Sequence, residues 1–417
     1  MTERSTEYHV SRTITILSCA AFVSVAAIRI CDPMLPEISG EYSISQGQAA
    51  AAITAYALAY GLLQLVYGPI GDRYNKYHTI ILATFAGTPA SILVAISPSF
   101  GWLVFSRALT GAIAAGIVPL AIAWIGDNIP YDLRQATLAR FISGPILGLI
   151  GGQFLGGFVA DMFSWRWCFV VLAVLYSAVG MLLYSDKRHH RSVPKEQDAE
   201  LYSASCSQSR GMSIVSQFLE VLRVRWARVI LISVFLESVG VFGSLAFVPT
   251  YLHVTYGVSL TAAGSIIAVF GFGGLLYTVV AGRLISSIGE RGLVVIGGPL
   301  LGISFLMFLF GNGWLLAIPA SFMTGLGFYM LHNTLQTNAT QMAPESRGTA
   351  VAMFVSAFFL GQSAGVAIGA WVIDTASVSW LFASSAAILP VLGVGFAFSL
   401  RYRKAGYSSA SDICAGT

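Results

Sequence analysis

Four ionisable residues lie inside long apolar stretches of this chain: Arg29, Asp32, Arg107 and Glu237. Placing a charged side chain at the centre of a membrane-spanning helix costs roughly 2.5–3.5 kcal/mol, so such residues are candidates for function. A carboxylate in a partly dehydrated cavity can bind and release a proton as the cavity changes sides. We therefore expect the carboxylates Asp32 and Glu237 to be candidates for proton exchange, and Arg29 and Arg107 to attract negative charge.

Each of these assignments has a structural alternative. Arg29 and Asp32 stand three positions apart, which puts them on one helix face where they can pair. The alternative is that both reach water at the membrane surface, with Pro33 opening a loop. For Glu237 the alternative is a hydrogen bond to a neighbouring helix. For Arg107 it is saturation by backbone carbonyls.

The elements that must position these residues follow from composition. Of 417 residues, 56% are hydrophobic and 10% are charged, whereas soluble domains have about 25% charged residues. Apolar runs of about 20 residues recur along the chain, each long enough to cross a hydrocarbon core of about 30 Å as a helix. Lipid offers no hydrogen-bond partners, so these runs must be helical. The five cysteines are scattered and predict neither disulfides nor a zinc site, and we expect no metal and no cofactor.

The apolar runs predict twelve membrane-spanning helices, called spans 1 to 12 from here on. Their predicted limits are Thr13–Cys31, Ala49–Tyr67, Thr79–Ser97, Gly101–Ile125, Leu138–Val159, Cys168–Tyr184, Val229–Tyr251, Leu260–Ile285, Gly292–Phe310, Trp314–Leu335, Thr349–Ile373 and Trp380–Leu400. Residues 185–228 are polar and basic and predict a cytoplasmic linker between two six-span units, residues 1–184 and 229–417.

The distribution of positive charge predicts the orientation. If the N-terminus is cytoplasmic, all 23 lysines and arginines except Arg29, Arg107 and Arg166 fall in cytoplasmic loops and tails or, for Arg140 and Arg283, at the cytoplasmic ends of spans 5 and 8. This is the bias that membrane proteins show toward the inside. We therefore predict that both termini are cytoplasmic and that the first span is retained rather than cleaved as a signal peptide.

Two sets of residues recur at nearly constant offsets and predict a duplicated architecture. Thr110-Gly111 in span 4 recurs as Thr324-Gly325 in span 10, and Gly68 recurs as Gly282 at the same offset along the chain. Three glycines of span 5 recur in span 11: Gly144, Gly148 and Gly152 correspond to Gly361, Gly365 and Gly369. All three pairs share one offset, which differs little from the offset that relates span 4 to span 10.

A charged turn between spans 2 and 3 carries a family resemblance. The stretch from Tyr67 to Tyr77 resembles the loop signature of the major facilitator superfamily of secondary transporters, roughly Gly-x-x-x-Asp-Arg-x-Gly-Arg-Lys. The matching residues are Gly68, Asp72, Arg73 and Lys76. Asn75 replaces the usual second glycine, and we expect it to keep the turn because asparagine tolerates the left-handed conformation. The alternative is a polar hairpin that only fixes topology.

The resemblance implies an all-α membrane protein, with twelve transmembrane helices in two pseudo-symmetric six-helix bundles. Spans 1, 4, 7 and 10 then line a central cavity, and Gly68, Asp72, Arg73 and Lys76 are gating residues. Arg107, followed by Gly111, resembles the span-4 signature of the family, which implies that Arg107 takes part in proton coupling or binds an anionic substrate group. Asp72 would cap the start of span 11 near Arg347 and hold the cytoplasmic end shut.

Two further stretches resemble the drug:proton antiporter branch of this family. The sequence from Asp32 to Pro36 resembles its end of span 1, where an acidic residue often carries protons. Span 5 resembles its antiporter signature in part, since Leu149 stands where a glycine is expected. Close helix packing through small residues explains the glycines of span 5 equally well.

These observations predict a proton-coupled secondary transporter in a bacterial-type inner membrane, which exports small amphipathic or drug-like compounds by alternating access. The alternative is a transporter of a small organic anion, such as a carboxylate or a sugar acid. A membrane-embedded enzyme is a third class, but no nucleophile–base pair or metal cluster is evident. We expect protons, a small-molecule substrate and lipid as partners, no nucleic acid, and a monomer. The candidate substrate-binding residues are Arg29, Asp32, Tyr56, Tyr60, Arg107, Glu237 and Phe242.

Overall fold

The computed structural model describes residues 3–189, 214–343 and 346–414, and every regular element in these ranges is helical. The α-helices are Glu3–Arg29, Leu35–Tyr42, Gln46–Ala49, Ala51–Arg73, Lys76–Ala95, Phe100–Ala114, Ile117–Asn128, Tyr131–Met162, Trp165–His189, Ile214–Arg223, Arg225–Leu245, Val248–Tyr256, Leu260–Phe310, Ala317–Ala339, Arg347–Thr375 and Val378–Cys414. Short 3₁₀-helices cover Asp32–Met34 and Trp314–Leu316.

Eleven segments of the described residues are long and apolar enough to cross a membrane. One of them, Leu260–Phe310, has 51 residues, which would extend about 76 Å and exceeds a single crossing. Gly289 interrupts it with φ 65° and ψ 175°, a left-handed backbone conformation that glycine adopts without strain. The segment therefore comprises spans 8 and 9, and the prediction of twelve spans is confirmed.

The helix limits differ from the predicted ones around the linker. The helix of span 6 continues to His189, and the helix Ile214–Arg223 lies within the predicted linker. Span 7 begins at Arg225, because its first turn carries arginines that can remain in water while the rest of the helix is apolar. The intervening residues 190–213 lie outside the described ranges.

Spans 1 and 7 break at equivalent positions. The α-helix of span 1 ends at Arg29, and a 3₁₀-helix with Pro33 follows. The helix of span 7 ends at Leu245, and a new helix with Pro249 near its start begins at Val248. Proline has no backbone N–H to donate, so it fits the first turn of a helix and interrupts a continuing one. In span 1 this break places Asp32 outside the α-helix.

Small residues set the packing inside each half. Three glycines of span 5 lie so close to span 1 that a Cβ atom would strike its backbone. They are Gly144, Gly148 and Gly152, against the carbonyl oxygens of Ser18, Phe22 and Ala26. Span 11 meets span 7 in the same way, through Gly361, Gly365 and Gly369 against the carbonyl oxygens of Phe235, Val239 and Gly243.

The residues of span 1 that these glycines contact are related to the contacted residues of span 7 by the same offset that relates the glycines of spans 5 and 11. A second set agrees at the offset that links spans 4 and 10, since Gly111 packs on the backbone of Tyr56 and Gly325 on that of Phe270. Two halves that repeat the same packing confirm the predicted pseudo-symmetric bundles. The contacts also account for the glycines of span 5 by close helix packing alone.

The two halves meet through spans 5 and 8 and through spans 2 and 11. Near the predicted outer end, Gly157 packs on the backbone of Leu260, and Ser363 Oγ donates to the Thr54 carbonyl oxygen at 3.1 Å. Near the predicted cytoplasmic end, a Cβ added at the equivalent glycines Gly68 and Gly282 would meet no atom of the described residues within 4 Å.

Candidate functional site

A buried ion pair lies at the break in span 1. Arg29 and Asp32 approach to 3.4 Å between Nη1 and Oδ2, and their side chains are 4% and 0% exposed. Snorkelling to the membrane surface is therefore the wrong alternative for this pair. The predicted pairing is present, although Asp32 belongs to the 3₁₀-helix rather than to the same α-helix as Arg29.

Polar side chains from both halves complete this pair. Gln153 of span 5 donates from Nε2 to Asp32 Oδ2 at 2.7 Å. Arg29 donates from Nη2 to Gln362 Oε1 of span 11 at 3.4 Å. The Arg29 guanidinium also lies 4.1 Å from the ring centre of Phe242 on span 7. The pair therefore links spans 1 and 5 of one half with spans 7 and 11 of the other.

Three buried atoms of this network have no hydrogen-bond partner among the described residues: Asp32 Oδ1, Gln153 Oε1 and Gln362 Nε2. Both acceptors and donors are thus left at the interface between the halves. Unsatisfied buried polar groups are rare in folded proteins and often mark a functional role. The arrangement can accept a proton at Asp32 Oδ1 and still retain the hydrogen bond from Gln153.

Arg107 lies elsewhere, inside the N-terminal half. Its Nε donates to the Ala52 carbonyl oxygen at 3.3 Å, and its Nη1 donates to that of Ala27 at 3.1 Å. Its guanidinium stacks on Tyr56, 4.3 Å from the ring centre, and lies 5.6 Å from that of Phe169. These contacts are those of the structural alternative, an arginine held by carbonyls, and Tyr56 is buried with it.

Glu237 forms a second buried pair in the C-terminal half. Its Oε2 lies 2.8 Å from Nδ1 of His332 on span 10, while its Oε1 has no partner among the described residues. Aromatic rings surround the imidazole: it stacks on Phe328 with ring centres 4.8 Å apart, and Phe358 lies at 5.0 Å. The hydrogen bond to a partner helix, foreseen as the alternative for Glu237, is present.

The remaining aromatic candidates lie where the halves meet. Tyr60 of span 2 packs against Phe359 of span 11 with ring centres 3.9 Å apart. Phe242 contacts Phe328 and Phe358 in edge-to-face geometry, at 5.2 and 5.4 Å. Tyr60 and Phe242 thus belong to one aromatic cluster beside the Glu237–His332 pair.

The charged turn between spans 2 and 3 is described in part. Lys76 Nζ lies 2.7 Å from Asp127 Oδ2. Asn75 caps span 3 by accepting a hydrogen bond from the His78 amide at 3.1 Å, with φ −63°. The expected left-handed conformation at Asn75 is wrong, because a capping side chain requires an extended backbone.

Gly68 lies within the helix of span 2, and no atom of the described residues lies within 4 Å of a Cβ added there. The side chains of Asp72 and Arg73 lie outside the described residues. The proposed contact of Asp72 with the start of span 11 therefore stays a prediction.

Sequence reasoning did not include Gln153, Gln362 and His332 among the site residues. All three are polar side chains within membrane-spanning helices, and the rule that selected the charged residues applies to them in weaker form. Helical periodicity alone did not indicate which of these helices meet.

Comparisons with known proteins identify the relatives of this chain. The sequence model described as Major Facilitator Superfamily matches residues 17–362 and again residues 230–412. An uncharacterised MFS-type transporter, YwfA of Bacillus subtilis (strain 168), is 24% identical over 393 residues, which cover 94% of this chain and 92% of that protein.

The multi-drug resistance efflux pump PmrA of Streptococcus pneumoniae serotype 4 (strain ATCC BAA-334 / TIGR4) is 24% identical over 360 residues, which cover 83% of this chain and 86% of the pump. The fold is similar to the crystal structure of a bacterial homologue of the human lysosomal transporter Spinster. The TM-score is 0.67 at 17% identity, over 95% of this chain and 97% of that one.

Proposed function

Because this chain belongs to the Major Facilitator Superfamily and is an integral membrane transporter rather than an enzyme, we propose that it exports small amphipathic compounds in exchange for protons. The two halves rock about a site between them, so that substrate and proton reach it from alternate sides. The contact of the halves at the predicted outer end, where Gly157 packs on Leu260, is the contact expected of a cytoplasm-facing state.

The buried Asp32 carboxylate carries this proposal. When ionised, it holds Arg29, which in turn reaches Gln362 of the opposite half. A proton on Asp32 removes the negative charge that attracts Arg29, and the connection between the halves weakens. A change in protonation thus alters the relative stability of two conformations, which is the physical requirement for coupling protons to substrate movement.

The Glu237–His332 pair provides a second proton-exchange position and the polar end of a substrate site. A proton taken up by this pair can reside on Glu237 or on His332, because the two groups lie 2.8 Å apart. The aromatic rings beside it, which include Tyr60, Phe242 and Phe328, are buried here and would contact the apolar part of an amphipathic compound once the halves move apart.

The organic-anion alternative depends on a free guanidinium. Both terminal nitrogens of Arg29 have partners, Asp32 and Gln362. Arg107 keeps one, Nη2, without a partner among the described residues, but its neighbours all belong to the N-terminal half. This geometry favours the amphipathic substrate. The relative PmrA is a multi-drug resistance efflux pump, which supports the same choice and the export direction.

For the membrane itself, we place both termini on the cytoplasmic side of a bacterial inner membrane, as the distribution of arginine and lysine indicates. The domains follow the same scheme: two bundles, residues 1–184 and 229–417, joined by a cytoplasmic linker. In this scheme Asp72, Arg73 and Lys76 lie at the cytoplasmic gate together with Gly68, and the transporter acts as a monomer.

The test uses purified protein in liposomes with an imposed pH gradient. Ethidium serves as the amphipathic probe and lactate as the organic anion. We expect the gradient to drive ethidium toward the proton-rich side, to leave lactate unaffected, and to lose its effect in Asp32→Asn. Glu41→Gln is the matched control, since Glu41 is a carboxylate of the predicted outer end that bonds Arg166 within one half. Gradient-driven lactate movement, or ethidium movement that ignores the gradient, overturns the proposal.

A further inference from the structure

Two aspartates at the predicted outer end bind across the interface between the halves. Asp161, at the end of span 5, accepts hydrogen bonds from the first turn of span 8. Its Oδ1 receives the Leu260 amide at 3.0 Å, and its Oδ2 receives the Thr261 amide and hydroxyl, both at 2.5 Å. Both carboxylate oxygens are thus used by the opposite half.

Asp374, at the end of span 11, forms the corresponding contact with the first turn of span 2. Its Oδ1 receives the Gly47 amide at 3.1 Å, and its Oδ2 receives the Ser45 hydroxyl at 2.5 Å. A Cβ at Gly47 would overlap Asp374 and the Ala370 carbonyl oxygen, so only glycine allows this approach.

The two contacts are related by the internal repeat. The amides that bind the carboxylates belong to Gly47 and Thr261, which are separated by the same offset that relates Gly68 of span 2 to Gly282 of span 8. Ser45 and Ser259 share this offset, and each caps its own turn by accepting an amide hydrogen bond, at 3.0 and 3.1 Å. Each half therefore supplies one carboxylate and one capped turn.

From this arrangement we infer that Asp161 and Asp374 are paired latches that hold the outer end closed, and that both must release when the transporter opens outward. The inference rests on the proposed alternating access, but it does not depend on proton coupling or on the substrate. It adds two residues to the gating machinery, which resemblance had placed at the cytoplasmic turn alone.

The chemistry of the contacts suits a reversible latch. Both aspartates are exposed to solvent, so water can replace the amide and hydroxyl donors when the halves separate. Neither forms an ion pair within the described residues, and each therefore binds through its charge at orphan amides of a helix start. Asp161 accepts three hydrogen bonds from the opposite half and Asp374 accepts two. The two contacts hold the end closed together, and the loss of either one shifts the equilibrium only in part.

The experiment measures the outer opening directly. Spin labels are placed on exposed residues in two pairs, Phe163 with Thr255 and Ser43 with Ser377, after replacement of the native cysteines. Pulsed electron spin resonance then reports the distance across each latch in detergent and in lipid nanodiscs. We expect the short distance to dominate with wild-type aspartates. Each of Asp161→Asn and Asp374→Asn should raise the long-distance population by about fivefold, and the double variant should raise it further.

Two further variants separate the latch from general damage. Glu41→Gln removes a carboxylate from the same end that bonds only within its half, and the distances should not change. Gly47→Ala keeps both aspartates but blocks the close approach, and it should produce the long distance across Ser43 and Ser377. Unchanged distances in the double aspartate variant would refute the latch proposal. The refutation is clearest if Gly47→Ala does lengthen the distance, because the measurement is then shown to detect opening. Failure of the liposome transport test leaves this readout intact.

Discussion

Gln153 donates its side-chain amide to Asp32 over 2.7 Å, and no other described side chain lies as close to that carboxylate. The contact joins span 5 to the break in span 1, at the depth where Gly152 and Gly156 bring the two helices together. The glycines therefore have a consequence for the site, because close packing of the backbones is what allows a glutamine on one helix to reach an aspartate on the other.

The Arg29–Asp32 pair should show strong coupling in stability. Arg29→Met leaves Asp32 buried without its counter-ion, and Asp32→Leu leaves Arg29 buried without its counter-ion. Each variant should lose about 3–5 kcal/mol of folding free energy. The double variant removes both charges and should cost much less than the sum. Thermal or denaturant unfolding of the four proteins in detergent measures the cycle, and additive effects would show that the pair does not interact.

The Glu237–His332 pair should control transport of the amphipathic probe. Glu237→Gln removes the charge while it keeps an acceptor for His332, and we expect gradient-driven ethidium flux in liposomes to fall about a hundredfold, since a positioned proton-transfer group is lost. Ser321→Ala is the control, since Ser321 is buried in span 10 but bonds only to the Ala317 carbonyl oxygen of its own helix. Equal flux in Glu237→Gln and wild type would remove Glu237 from the mechanism.

Asp72→Asn should abolish transport without preventing membrane insertion. The carboxylate is predicted to cap the start of span 11 when the cytoplasmic end closes, and asparagine lacks the charge that the helix start attracts. Expression level, detergent elution profile and liposome flux are compared with those of Tyr74→Phe, a change at an exposed neighbour. Wild-type flux in Asp72→Asn contradicts the predicted cytoplasmic gate.

The glycine contacts should be sensitive to a single methyl group. In Gly148→Ala the added Cβ meets the Phe22 carbonyl oxygen, and in Gly365→Ala it meets that of Val239. Each should lower stability by about 1–3 kcal/mol, because the helices must move apart. Gly395→Ala is the matched control: it lies in a helix with no atom within 4 Å of the added Cβ, and its melting temperature should be unchanged or higher. A similar decrease in all three would refute the packing explanation.

The sequence by itself determined the membrane class, the twelve spans and the two-fold repeat. Hydrophobic runs of sufficient length must become helices in lipid, since no other structure there satisfies the backbone. The recurrence of Gly144 and Gly148 as Gly361 and Gly365 was visible without coordinates, and so was the spacing that lets Arg29 pair with Asp32. These are properties of composition and of positions along one chain.

Only the tertiary structure decided which helices meet and which way each side chain points. In the structure Asp32 binds Gln153 and Glu237 binds His332, and the Arg107 side chain points into the interior of the N-terminal half. The physical reason is that helical periodicity relates residues three or four positions apart, whereas the rotation of one helix against another depends on packing over its whole length. Partners that lie far apart in the sequence, on different helices, are therefore set by the assembled bundle.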